Sequence, residues 1–184
     1  CKMIYFGDGV PINKEEAKHY IKKLIDLGDE SAMIEYASIL DNDTNNQSNQ
    51  DKAFEAYKKL ANTGNLEAMF SYANMMEETQ MNLQKAAEYY KKAADEGHVK
   101  SMYRYAFVLN KIPDEPNKGQ KMCKYYKMAA ENGCIDAMVN YAILKYRGYY
   151  QVQVDKKEAS YYYKMAADKG DIESMYVYAL MKYK

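Results

Sequence analysis

The 184-residue chain carries 26 basic and 26 acidic side chains, a formal charge of zero, and 21 tyrosines with no tryptophan. A chain of this length can bury a core without disulfides or metals, and zero net charge removes the global electrostatic case for nucleic acid or an anionic membrane as partner. No apolar run approaches the roughly 18 residues that a membrane helix needs, and the opening CKMIYFGDGVP lacks a charged-then-apolar signal pattern.

Residues 1–13 read as the tail of an earlier helix plus a connector, so a chain that begins at Cys1 and ends inside YVYALMKYK reads as a piece of a longer array. From residue 14 a unit recurs, over 14–50, 51–82, 83–117, 118–154 and a shorter 155–184. Its marker is a ten-residue phrase: GDESAMIEYA from Gly28, GNLEAMFSYA from Gly64, GHVKSMYRYA from Gly97, GCIDAMVNYA from Gly133 and GDIESMYVYA from Gly170. The glycines are 36, 33, 36 and 37 residues apart, a period suited to stacked helical hairpins.

Counted back from each glycine, position −11 is Ala17, Ala53, Ala86, Met122 or Ala159, and position −7 is Ile21, Tyr57, Tyr90, Tyr126 or Tyr163. With small or aliphatic residues at −4 and −3 this spacing makes one apolar helical face, ended by a glycine that takes a left-handed cap without Cβ strain. After the glycine, Asp29, Asn65 and Asp171 are good N-caps for a second helix. That helix repeats a small residue at +4, Met at +5, Tyr at +8 and Ala at +9, and continues at +11 with Ile39, Met75, Val108, Leu144 and Met181. Small residues let helices approach closely while Met and Tyr fill irregular gaps. The stretches DNDTNNQSNQ, EETQMNLQ, NKIPDEPNKGQ and RGYYQVQVDKK read as connectors.

The segments KAAEYYKKAADEGHVKSMYRYA, KEASYYYKMAADKGDIESMYVYA and YFGDGVPINKEEA together resemble the Sel-one-like repeat family, a branch of the tetratricopeptide-type helical hairpins. The resemblance implies an all-α, right-handed α/α superhelix of about five hairpins, a non-catalytic adaptor role, and a second helix that lines the concave surface. This chain departs from the family in its aromatic pair, where tryptophan is absent and Ala56 replaces one member, and it lacks the regular cysteine pairs of the family's secreted branch.

Other constellations read as structure. Position −6 is a lysine in all five units (Lys22, Lys58, Lys91, Lys127, Lys164), and four of these have an acid at i+4, which marks a solvated, charge-balanced flank. His19 and His98 have no partner at metal-ligand spacing, so no metal or cofactor is expected. Cys1, Cys123 and Cys134 form an irregular, odd set, read as free thiols in a reducing compartment, cytoplasmic and not secretory. The glycosylation-type patterns at Asn42 and Asn46 fall in an asparagine-rich stretch where they arise by chance.

One set points to function. Positions +6 and +10 of the second helix lie about 115° from the packing stripe. The expected partner-binding residues there are Ile34, Phe70, Tyr103, Val139 and Tyr176 at +6, with Phe107, Ile143 and Leu180 at +10. Their class is mostly apolar while their identity changes, as in a surface written for a protein segment; the alternative is burial against the next hairpin. The functional expectation is a protein-interaction scaffold binding a partner protein, with no nucleic acid and no membrane insertion. Self-assembly through the same strip is the second reading and a catalytic domain a distant third.

Overall fold

The computed structural model describes residues 14–42, 46–79 and 82–183. These contain ten α-helices and no strand: α1 Lys14–Asp26, α2 Glu30–Asp41, α3 Gln47–Asn62, α4 Leu66–Glu78, α5 Leu83–Asp95, α6 Val99–Leu109, α7 Lys118–Glu131, α8 Ile135–Arg147, α9 Lys156–Asp168 and α10 Ile172–Tyr183. The expected tail and connector at 1–13, and Cys1, lie outside the described residues, as do the side chains of Ala17 and Lys22. The chain divides into two compact units, Cys1–Met75 and Met76–Lys184. In the first, α2 packs on α1 and α3; in the second, each helix from α5 to α10 packs on its neighbour in sequence. This is the all-α hairpin array that the 33-to-37-residue period implies.

The glycines make the turns. Gly28, Gly64, Gly97, Gly133 and Gly170 all have φ between 82° and 97°. Behind each, the next residue's N–H reaches back to a carbonyl of the helix just ended: Asp29 to Leu24, Asn65 to Leu60, His98 to Ala93, Cys134 to Ala129 and Asp171 to Ala166, at 2.9–3.2 Å. That is the six-to-one bond of a Schellman cap, which satisfies an otherwise orphaned carbonyl and fixes the entry of the second helix. The expected N-caps form at Asp29, Asn65 and Asp171, whose side chains accept from the N–H three residues on at 2.8–3.1 Å.

The packing stripes are buried as the spacing requires. Ile21, Tyr57, Tyr90, Tyr126 and Tyr163 at −7 are all in the core, as are Ala37, Ala73, Ala106 and Ala142 at +9. Several buried tyrosine hydroxyls are bound by carboxylates: Tyr90 donates to Glu77 at 3.0 Å, Tyr125 to Asp95 at 2.5 Å and Tyr141 to Glu158 at 2.8 Å. A buried hydroxyl left without an acceptor costs about 1–3 kcal/mol, so these acids let tyrosine serve as a core residue. Burial is also the leading reason that the Tyr57 and Tyr105 hydroxyls are pushed up to about 12.

Helices intrude on the connectors. The first four residues of α3, Gln47–Gln50, come from the asparagine-rich stretch read as loop, and Asn46 caps that helix by accepting from the Asn49 N–H at 3.3 Å. The last connector holds a short 3-10 turn, Tyr149–Gln151, with Tyr150 and Gln151 at positive φ. This turn passes so close to α7 that a Cβ at Gly119 would fall on the Tyr150 carbonyl oxygen. Glycine at the start of α7 is therefore a contact requirement that helix propensity would argue against.

Candidate functional site

The second helix of each hairpin has two apolar faces with different fates. In α6 and α8, the +5, +8, +9 and +11 residues are core, with Met102 4% and Met138 0% exposed. None of the eight expected partner-binding residues is buried. In the first unit Ile34 and Phe70 are half-buried; in the second Tyr103, Phe107, Val139 and Ile143 are half-buried, while Tyr176 and Leu180 are exposed.

Tyr103 and Phe107 sit one turn apart on α6 with ring centroids 6.0 Å apart, and Tyr103 also leans on Tyr126 of α7 at 5.9 Å. Burial raises the Tyr103 hydroxyl above its ordinary pKa, with Asp136 and Cys134 of the next hairpin adding to the effect. Tyr103 is thus part surface and part inter-hairpin contact. Phe107 is flanked by two cations, the Arg104 guanidinium and the Lys111 ammonium, each 5.5 Å from its ring centroid. Both cations are held from below by Glu77, at 2.8 Å to Arg104 and 2.9 Å to Lys111. Glu77 is a buried carboxylate that receives these two and the Tyr90 hydroxyl, so its lone pairs are well used.

A second hub lies on α9. Glu158 accepts from Tyr141 and ion-pairs with Lys145 at 2.9 Å and Lys127 at 3.3 Å. Burial alone would raise its pKa, but the hydrogen bonds from Lys145, Tyr141 and Lys127 outweigh that and hold it below the ordinary value. The −6 lysines divide accordingly. Lys91 and Lys164 form the expected i+4 pairs with Asp95 and Asp168, both at 2.6 Å, whereas Lys127 turns to Glu158 and Lys58 pairs with Glu55 at 3.1 Å. A longer-range carboxylate inside the stack competes successfully with the helical neighbour.

Beside the second hub, α8, α9 and α10 line an open cavity of about 930 Å³. Ile143 and Leu180 line it, and they are the two expected binding residues that the fold brings together there. Lysines, an arginine and tyrosines make up most of the remaining wall.

The Sel1 repeat profile matches residues 1–29, 66–98, 123–134 and 135–171, more than half of the chain. The chain belongs to the Sel1 repeat family. Among solved structures, it is similar to c5321, a protective antigen of uropathogenic Escherichia coli strains with an SLR fold, at 22% identity and a TM-score of 0.82 over 99% of this chain and 39% of that one. It is similar to a Sel1 repeat protein from Oxalobacter formigenes at 21% identity, with a TM-score of 0.78 over 95% of this chain and 72% of the other. MamA is more distant, at 21% identity and a TM-score of 0.51 over 81% of this chain and 93% of that one. The Sel1 chain here thus spans well under half the length of c5321. No curated protein matches it. Sel1 repeats are in general protein-interaction scaffolds without catalysis of their own.

In this Sel1 array Cys123 and Cys134 are free, half-buried thiols, and burial is the leading cause that pushes both above the ordinary thiol pKa. His98 Nδ1 lies 2.7 Å from the Ser101 hydroxyl at the start of α6. Among the described residues no three His, Cys, Asp or Glu side chains cluster as metal ligands, and no helix is long and apolar enough to cross a membrane. Three features were missed in the sequence: the Glu77 and Glu158 hubs and the basic wall of the cavity. Glu77, Arg147, Lys156 and Lys157 come from stretches read as connectors, and Glu158 sits just past one, where residue class alone gives no sign of convergence.

Proposed function

We propose that this Sel1 array is a non-catalytic scaffold that holds an extended or helical segment of a partner protein against the +6 and +10 residues of its second helices. The supporting observation is the contrast within α6 and α8: there the fixed residues at +5, +8 and +9 are buried, while the variable, largely apolar residues at +6 and +10 keep exposed surface. Large aromatics carry much of the energy at such contacts, which makes Phe70, Tyr103, Phe107 and Tyr176 the anchors expected to matter most. The test is affinity capture with the chain and with Phe107→Ala, checked by a melt. A partner retained by the parent and lost by a folded Phe107→Ala supports the reading; capture unchanged by Phe107→Ala and Tyr176→Ala refutes it.

One observation favours self-assembly as a second reading. The last helix leaves Ile172, Met175, Tyr176, Leu180 and Tyr183 exposed together, a patch of a kind that marks interaction sites. Light scattering over a concentration series decides: a monomer throughout removes this reading.

A further inference from the structure

The open cavity lined by α8, α9 and α10 has a chemistry that the chain as a whole does not share. Five cations line it: Arg147, Lys156, Lys157, Lys164 and Lys182. No carboxylate does. Lys164 is offset by Asp168, but the other four have no carboxylate within ion-pairing distance among the described residues. The total is zero, so outside the cavity acids outnumber bases, 26 to 21, and the cations at the two hubs are held by Glu77 and Glu158. Like charges gathered in a concave site repel one another and concentrate a positive potential there, which an anionic occupant would relieve.

The floor narrows the choice of anion. Ile143, Val177, Leu180 and Met181 supply aliphatic surface for a branched or aromatic side chain. Two of the wall's tyrosine rings are already engaged by the cavity's own cations: Tyr146 carries both Arg147 and Lys156 at 5.7 Å, and Tyr178 carries Lys182 at 5.4 Å. The chain's zero net charge gives a nucleic acid no long-range attraction to set beside these local cations.

We propose that this cavity docks an acidic segment of a partner protein, with Asp or Glu side chains on Arg147, Lys156, Lys157 and Lys182 and an apolar anchor on Ile143 and Leu180. The proposal rests on the scaffold reading above, since Ile143 and Leu180 are two of its expected anchors; it adds the charge class of the partner.

Selection of random twelve-residue peptides displayed against the intact chain tests it. The expected peptides are rich in Asp and Glu around one large apolar residue, bind more weakly as salt is raised, and lose at least about tenfold in affinity to Lys156→Glu/Lys157→Glu. Lys182→Glu, on the opposite wall, gives the same loss should the double variant fold poorly, and Lys85→Glu, outside the cavity, leaves binding unchanged. Selected peptides that are neutral, and whose binding depends on Phe107 but not on these cations, overturn the acidic-segment proposal and leave the scaffold reading standing. Failure to select any peptide overturns both. Single-stranded DNA that displaces the peptides and binds more tightly than they do overturns the protein assignment of the site.

Discussion

Helices α6 and α10 begin with nearly the same words, GHVKSMYRYA and GDIESMYVYA, yet they have opposite surroundings. In α6, Met102, Tyr105 and Ala106 are core; in α10, Met175 is 46% exposed, Tyr178 half-buried and Ala179 exposed. The difference lies in the next helix. Helix α6 has α7 packed after it, with the Tyr105 ring edge-on to Tyr125 at 4.6 Å, whereas α10 is the last helix of the chain. The phrase is therefore a half-made contact, completed by the next hairpin, and stability in such an array comes from nearest-neighbour interfaces as much as from each unit.

The largest effect should separate identical residues by their neighbours. Met138→Ala, at a position with no exposure, should cost about 2–5 kcal/mol, while Met175→Ala should stay within about 0.5 kcal/mol; denaturant titration measures both. Next come the polar supports. Glu158→Ala should cost about 1–3 kcal/mol because it strands the buried Tyr141 hydroxyl and frees Lys145. The glycines sharpen the contrast from the other side: Gly133→Ala and Gly170→Ala should each cost about 1–2 kcal/mol, because φ is 92° and 97° and neither added Cβ meets a close neighbour. That penalty is local, so it should be equal in the interior and at the end.

A smaller effect concerns acid. The Glu158 pKa is lowered on folding, so its contribution is fully present above the carboxylate's ordinary 4.5 and is lost as pH falls below that value through the folded pKa. Stability measured from pH 6 to pH 3 should decline less steeply in Glu158→Gln than in the parent. The smallest effect is none: melting in reducing and non-reducing buffer should coincide, as Cys123 and Cys134 are unpaired.

Sequence carried the hairpin clearly because its determinants are local. A glycine at positive φ, an N-cap one residue later and apolar residues three and four apart each declare themselves within one turn. The distinction between +5 and +6 was also legible, as an angle on a helix. What could not be read is convergence. Glu77 meets Tyr90, Arg104 and Lys111 from 13, 27 and 34 residues away, and the cavity's cations come from the end of α8, both halves of α9 and the end of α10. Of the cavity's cations only Lys164, at −6, follows the repeat register, so periodicity passes over their convergence. Gly119 escaped for the same reason, since its partner Tyr150 lies in another connector.

If a single helix presents a packing face and a free face side by side, adjacent residues of similar size should differ sharply in what they contribute to stability. Residues 143 and 144 are such a pair on α8, and only Leu144 is core. Equilibrium unfolding of Leu144→Ala should show a loss of about 2–5 kcal/mol, with Ile143→Ala losing less than half as much. Equal losses would mean that Ile143 belongs to the core, and that the face assigned to a partner is part of the stack.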